Sequence, residues 1–256
     1  MNWKTFAALL ARDAHVARRN AVPMLLQNLL QPLLFVFVFG RVMTSSGMMP
    51  ASYKGMLVPG IMAVAMVIGG VQAVAMPLIA EFQFTREIED RLLAPIEIGW
   101  LAVEKVAAGM IQALFAGLIV IPASWLLLGS SAGLSFHAPL TFATVCLLVA
   151  LFSAAGGLTL GCSIGQTQIG LMFSLVLAPM TFFGCAYYPW SALAPFPLLQ
   201  KAVLINPLVY ASEGLRGALV PQVPHISLAI VMGVLALADA LLLVAGLKRF
   251  HKKAIT

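Results

Sequence analysis

From residue 106 to residue 200 the chain carries no Asp, Glu, Lys or Arg, a run of 95 residues. No soluble core absorbs an uncharged stretch of that length, whereas several bilayer spans of about 20 residues each would. Only 9% of the 256 residues are charged and 61% are hydrophobic, against about a quarter charged in an ordinary globular domain. The chain therefore reads as an all-α integral membrane protein.

Six spans fit between the charges, at residues 22–39, 56–80, 106–128, 139–161, 169–186 and 226–247. Each is close to the length that crosses ~30 Å of hydrocarbon at 1.5 Å per residue. Residues 1–20 read as an amphipathic interfacial helix: Trp3, Phe6, Ala7, Leu10, Ala14 and Ala17 share a stripe that Lys4, Arg12, His15 and Arg19 largely avoid. Its short apolar run precedes its charges, the reverse of a signal peptide. Lys4, Arg12, Arg18, Arg19, Arg86, Arg91, Lys105, Lys248, Arg249, Lys252 and Lys253 fall on one side, while Arg41, Lys54, Lys201 and Arg216 fall on the other. Eleven against four puts both termini in the cytoplasm, in keeping with an even span count. The net charge of +6 reads as this loop bias and not as a nucleic-acid surface. Trp100, Trp125, Tyr187, Tyr188 and Trp190 take interfacial belt positions.

Small residues recur four apart at Gly109, Ala113 and Gly117, and again at Gly157, Gly161 and Gly165. Such faces let backbones approach closely, and packing within the subunit accounts for them better than a dimer seam does. Pro32, Pro77, Pro122 and Pro179 lie inside spans, where each removes a backbone hydrogen bond. Cys146, Cys162 and Cys185 match no zinc-ligand spacing, and the odd count argues against a closed disulfide framework.

Nine of the 24 charges crowd into residues 81–105. Within that loop, residues 81–95 read as a short helix. Phe84, Ile88 and Leu92 form an apolar ridge, Glu87 and Arg91 (like Arg86 and Asp90) stand four apart, and Pro95 ends the pattern. Acids outnumber bases from Glu81 to Leu93 by four to two, which suits a protein partner better than an anionic leaflet.

FTREIEDRLLAPIEIGWLAVEK at 84–105, VPG at 58–60 and NPLVYASEGLRGAL at 206–219 carry a resemblance that covers essentially the whole chain. In their order and spacing the sequence resembles the membrane subunits of type-2 ABC exporters, the group that includes nodulation-factor, polysaccharide and antibiotic-resistance exporters. The resemblance implies a coupling helix at 81–95 that docks into an ATP-binding cassette subunit, with Arg86, Glu87, Glu89, Asp90, Arg91 and Pro95 as its working residues. It also implies short outer re-entrant helices at 187–224 before the last span, and a second permease chain, identical or closely similar. The chain has no G-x-x-x-x-G-K-[ST] loop, so ATP and Mg are expected on the partner and no cofactor on this chain.

Other motifs weigh less. Gly161-Cys162-Ser163-Ile164-Gly165 fits G-x-S-x-G, but it ends an apolar span instead of forming a strand-to-helix elbow, while His137 and His225 lie toward the other face. His15, His137, His225 and His251 show no metal-binding spacing. Asp239 is the one carboxylate well inside a span, either in the translocation path or in a polar contact between spans. Glu213 and Arg216, three apart, can pair on one helical face and are the candidate outer gate.

The expected protein is thus a multi-pass permease subunit of the bacterial inner membrane, without a catalytic site of its own. Driven by ATP hydrolysis elsewhere, it would move a hydrophobic or amphiphilic cargo such as a lipid-linked saccharide, a lipid or a drug-like molecule. The alternative is an ion-coupled secondary transporter using Asp239.

Overall fold

Where charge is absent over the length of a span the backbone must satisfy its own hydrogen bonds, and most of the described uncharged residues do so as helix. The structure, a computed structural model, describes residues 10, 12, 30, 32–50, 52–82, 98–129 and 133–255. Its helices are α1 (Pro32–Ser45), α2 (Tyr53–Ala80), α3 (Ile98–Leu128), α4 (Pro139–Ser163), α5 (Ile169–Phe182), α6 (Pro197–Ala202), α7 (Pro207–Leu219) and α8 (Leu228–Ile255). Among the described residues no strand occurs. Four helices, α2, α3, α4 and α8, are long and apolar enough to cross a membrane; α1 and α5 are shorter apolar helices. The interfacial helix expected at 1–20 and the start of the first expected span lie outside the described residues, Leu10 and Arg12 apart.

The axis of the bundle is α2, whose apolar window is 89% buried, against 33% for α3 and 17% for α8. Small residues make this enclosure possible. A Cβ on Gly109 would lie 2.3 Å from Val74, and one on Gly117 2.2 Å from Met66. From α4, a Cβ on Gly157 would meet the Val71 carbonyl at 2.8 Å, and one on Gly161 the Ala75 Cα at 2.9 Å. The faces formed by Gly109, Ala113 and Gly117 and by Gly157 and Gly161 therefore pack inside the subunit against the same central helix, whereas Gly165 falls past the end of α4. These pairings make α2 and α4 run in one direction and α3 in the other.

Prolines act differently by position. Pro59 and Pro77 sit within the unbroken helix α2. Pro122 cannot donate to Leu118, four residues back, and α3 breaks there, at Ile119. Before Pro179, residues Met172–Leu177 of α5 widen into π-helix, as Val36–Val42 of α1 do.

Outward faces are apolar: Leu126 is 84% exposed, Leu140 81%, Leu175 69% and Leu237 62%. An apolar exterior of this extent suits lipid, not water.

Candidate functional site

Two polar constructions stand at opposite ends of the bundle. The first lies where the charged loop is rooted. α2 ends at Ala80 and α3 begins at Ile98, so Glu81 and Lys105 face each other across the base of the loop. Lys105 Nζ donates to Glu81 Oε1 at 2.8 Å with both side chains buried, and Glu104 beside Lys105 is fully buried too. The next residue, Phe82, packs edge-on against Phe250 of α8 with ring centroids 5.8 Å apart. The Lys253 ammonium sits 4.7 Å above the Phe82 ring, an arrangement that attracts a cation to the ring quadrupole.

α8 is tied to α4 at the same level. Arg249 donates to Ser163 Oγ, which donates in turn to the Thr159 carbonyl; Thr159 Oγ1 donates to Leu242 O at 3.0 Å, and Lys253 to Gly161 O at 3.4 Å. The ends of α2, α4 and α8 and the start of α3 thus meet at the loop's base. Arg86, Glu87, Glu89, Asp90, Arg91 and Pro95 lie outside the described residues.

The second construction occupies the far end. Asn206 caps α7: its Oδ1 accepts from Leu208 N at 3.0 Å and its Nδ2 donates to Met180 O at 2.7 Å, with Pro207 at the first helical position. The capped helix is buried from Leu208 to Leu219, and within it Glu213 and Arg216, both 0% exposed, are paired through Arg216 Nη1 and Glu213 Oε1. Glu213 also accepts from Trp190 N at 2.9 Å and, through Oε2, from Ile226 N at 3.1 Å. Arg216 Nη2 donates to Cys185 O at 2.9 Å, and Nε reaches Met56 O at 3.4 Å.

One ion pair therefore joins the start of α2, the turn after α5, the Trp190 turn, α7 and the approach to α8. Burial draws the Arg216 guanidinium below its ordinary pKa, and the adjacent Glu213 carboxylate opposes that. Cys185 takes a left-handed φ of 51°, a conformation costing an L residue ~1–2 kcal/mol, and aims its carbonyl at Arg216. Tyr53 Oη donates to Tyr187 O at 2.6 Å, and Trp190 and Gln200 exchange hydrogen bonds across α6.

Spacing alone anticipates the Glu213–Arg216 pair but not its depth or its backbone partners. Asp239 is 3% exposed and its carboxylate oxygens have no hydrogen-bond partner among the described residues; it stands apart from both constructions. Ser163 is held by Thr159 and Arg249, with no histidine on it among the described contacts. The three cysteines are free and buried, and the described residues hold no cluster of three or more metal-ligating side chains. Phe82, Phe250 and the Glu81–Lys105 clasp carried no sequence signal beyond the charge and aromaticity of the residues themselves.

The profile of the ABC-2 type transporter family matches residues 4–220. The inner membrane transport permease YadH of Escherichia coli strain K12 is 28% identical over 217 residues, which cover 84% of this chain and 82% of that protein. The permeases of the same name from Escherichia coli O157:H7 and Shigella flexneri match to the same extent.

Proposed function

Because the chain belongs to the ABC-2 type transporter family and is a multi-pass permease subunit of the inner membrane, we propose that it is the passive, membrane-spanning part of an ATP-driven exporter. Both termini and the loop at 81–105 face the cytoplasm on this reading, and residues 81–95 form the helix on which an ATPase subunit acts. Two permease chains, identical or closely similar, flank the path. The observation that carries the proposal is the convergence at the loop's base. A push on the loop acts on α2 and α3 through the Glu81–Lys105 clasp and on α8 through Phe82 and Phe250. From α8 the load passes to α4 through Arg249 and Lys253.

At the opposite end, the Glu213–Arg216 pair frames the outer gate, since it ties the elements that must part for cargo to leave. The cargo is hydrophobic or amphiphilic, as paths for small ions normally carry several intramembrane charges and Asp239 is the one carboxylate deep in an expected span.

Reversing the loop charges, Glu87→Lys with Arg91→Glu, tests this. ATP-linked export and co-purification of the ATPase subunit should be lost while the permease still inserts and accumulates. Undiminished export in that variant would refute the coupling role.

A further inference from the structure

A groove of about 500 Å³ opens between the first turn of α3 and the last turns of α8, lined by Gly99, Trp100, Val103, Leu247, Lys248 and His251. It opens beside the construction at the loop's base, on the same turns of α3 and α8, but its lining residues are not those that form that construction. Gly99 leaves its floor bare, since a Cβ there would meet nothing within 4 Å. Val103, 37% exposed, and Leu247 supply an apolar wall, and Trp100, half-buried, lies one turn nearer the start of α3 than Val103.

The rim is basic. Arg249 and Lys253 in the same turns of α8 are engaged by Ser163 and by Gly161 and Phe82, whereas Lys248 and His251 are exposed and make no hydrogen bond or ion pair among the described contacts. Apolar wall, indole and free cation in that order is the sequence of environments met on passing from acyl chain to glycerol to headgroup. Tryptophan favours headgroup depth, lysine extends its ammonium from an apolar stem, and basic residues at that depth attract anionic lipid. A cavity of this size falls within the ~300–1,000 Å³ that holds a drug-sized molecule, enough for a phosphoglycerol headgroup and the first acyl carbons.

We propose that the groove is a binding site for an anionic glycerophospholipid, its phosphate on Lys248 and His251, its glycerol against Trp100 and its acyl chain along Val103 and Leu247. The site needs only the helix ends to stand at a membrane surface. It does not depend on the exporter reading, and its test involves neither ATP nor transport.

The full-length protein is placed in phosphatidylcholine nanodiscs containing a trace of photoactivatable phosphatidylglycerol, with the reactive group near the first acyl carbons, and the labelled peptides are mapped. Phosphatidylglycerol should label the segments around Val103 and Leu247 several-fold more than a matched phosphatidylcholine probe. Lys248→Ala with His251→Ala should bring that labelling down to the phosphatidylcholine level. Removing the Lys248 charge alone should cost about fivefold, the scale of one basic residue at an anionic surface. Both side chains are exposed, so the double variant should keep the parent's elution profile and melting temperature. Equal labelling by the two probes, or undiminished labelling of the double variant, would overturn the proposal. Displacement of the probe by excess inorganic phosphate would overturn it too, assigning the rim to a soluble anion.

Discussion

Replacing Glu213 by alanine should be among the costliest single changes in the protein. Arg216 would remain 0% exposed with its carbonyl partners but without its counter-charge, and breaking a buried ion pair from one side costs about 3–5 kcal/mol. Trp190 N and Ile226 N would lose their acceptor as well, so the upper part of that range applies. Arg216→Ala leaves Glu213 with those two N–H donors and should cost less, about 3 kcal/mol. Removing both leaves no orphaned charge, so the double variant should lose about 4 kcal/mol and not the roughly 7 kcal/mol that additivity gives. Denaturant titration of the detergent-solubilised chain, followed by tryptophan fluorescence, measures all three. A thiol-reactive dye gives an independent report, because Cys146, Cys162 and Cys185 are all buried and become reactive on unfolding. Single variants within about 1 kcal/mol of the parent, or a double variant that sums them, would refute the view that the pair holds the far end together.

Gly60→Ala should destabilise by about 1–3 kcal/mol, because its Cβ would fall 1.8 Å from the Ala186 carbonyl oxygen, a backbone contact with little freedom to yield. Gly233→Ala in α8, where the Cβ meets nothing within 4 Å, should be neutral or stabilising by up to about 1 kcal/mol; parallel thermal melts compare the two. Asp239→Asn keeps the side chain's shape and removes a buried carboxylate with no described partner, so stability and ATP-linked export should both be retained. Loss of export with an unchanged melting curve would instead favour ion coupling through this residue.

Charge-free length made the membrane class and the main helices legible, and four-residue spacing picked out the glycine faces that close on α2. Helix ends were harder to place. α8 continues through Lys248, Arg249, Lys252 and Lys253 to Ile255, so the helix outruns the apolar stretch that ends at 247, as cations suit a helix C-terminus. α5 stops at Phe182, within the apolar stretch that runs to 186, and Gly184 and the left-handed Cys185 turn the chain there. The π-helical stretches of α1 and α5 left no mark in the apolar pattern.

In the candidate sites, local spacing revealed which side chains could pair but not what else they would hold. Arg216 and Met56 are 160 residues apart, and Trp190 and Glu213 are 23 apart, so their contacts arise from how the bundle closes. The same holds for Phe82, whose partners Phe250 and Lys253 come from the last helix.

The seams around α2 also restrict how the molecule can change shape. Where a missing methyl group is what allows two backbones to touch, neither helix can slide by a turn without driving side chains into main chain. α2 and α4, meshed in this way from Gly70 to Gly161, should travel as one block. Freedom to rearrange is left to α1 and α5 with their widened turns, since α8, though exposed on its outer face, is bonded to α4 through Thr159, Gly161 and Ser163; probes of motion belong on α1 and α5 and not on the axle they surround.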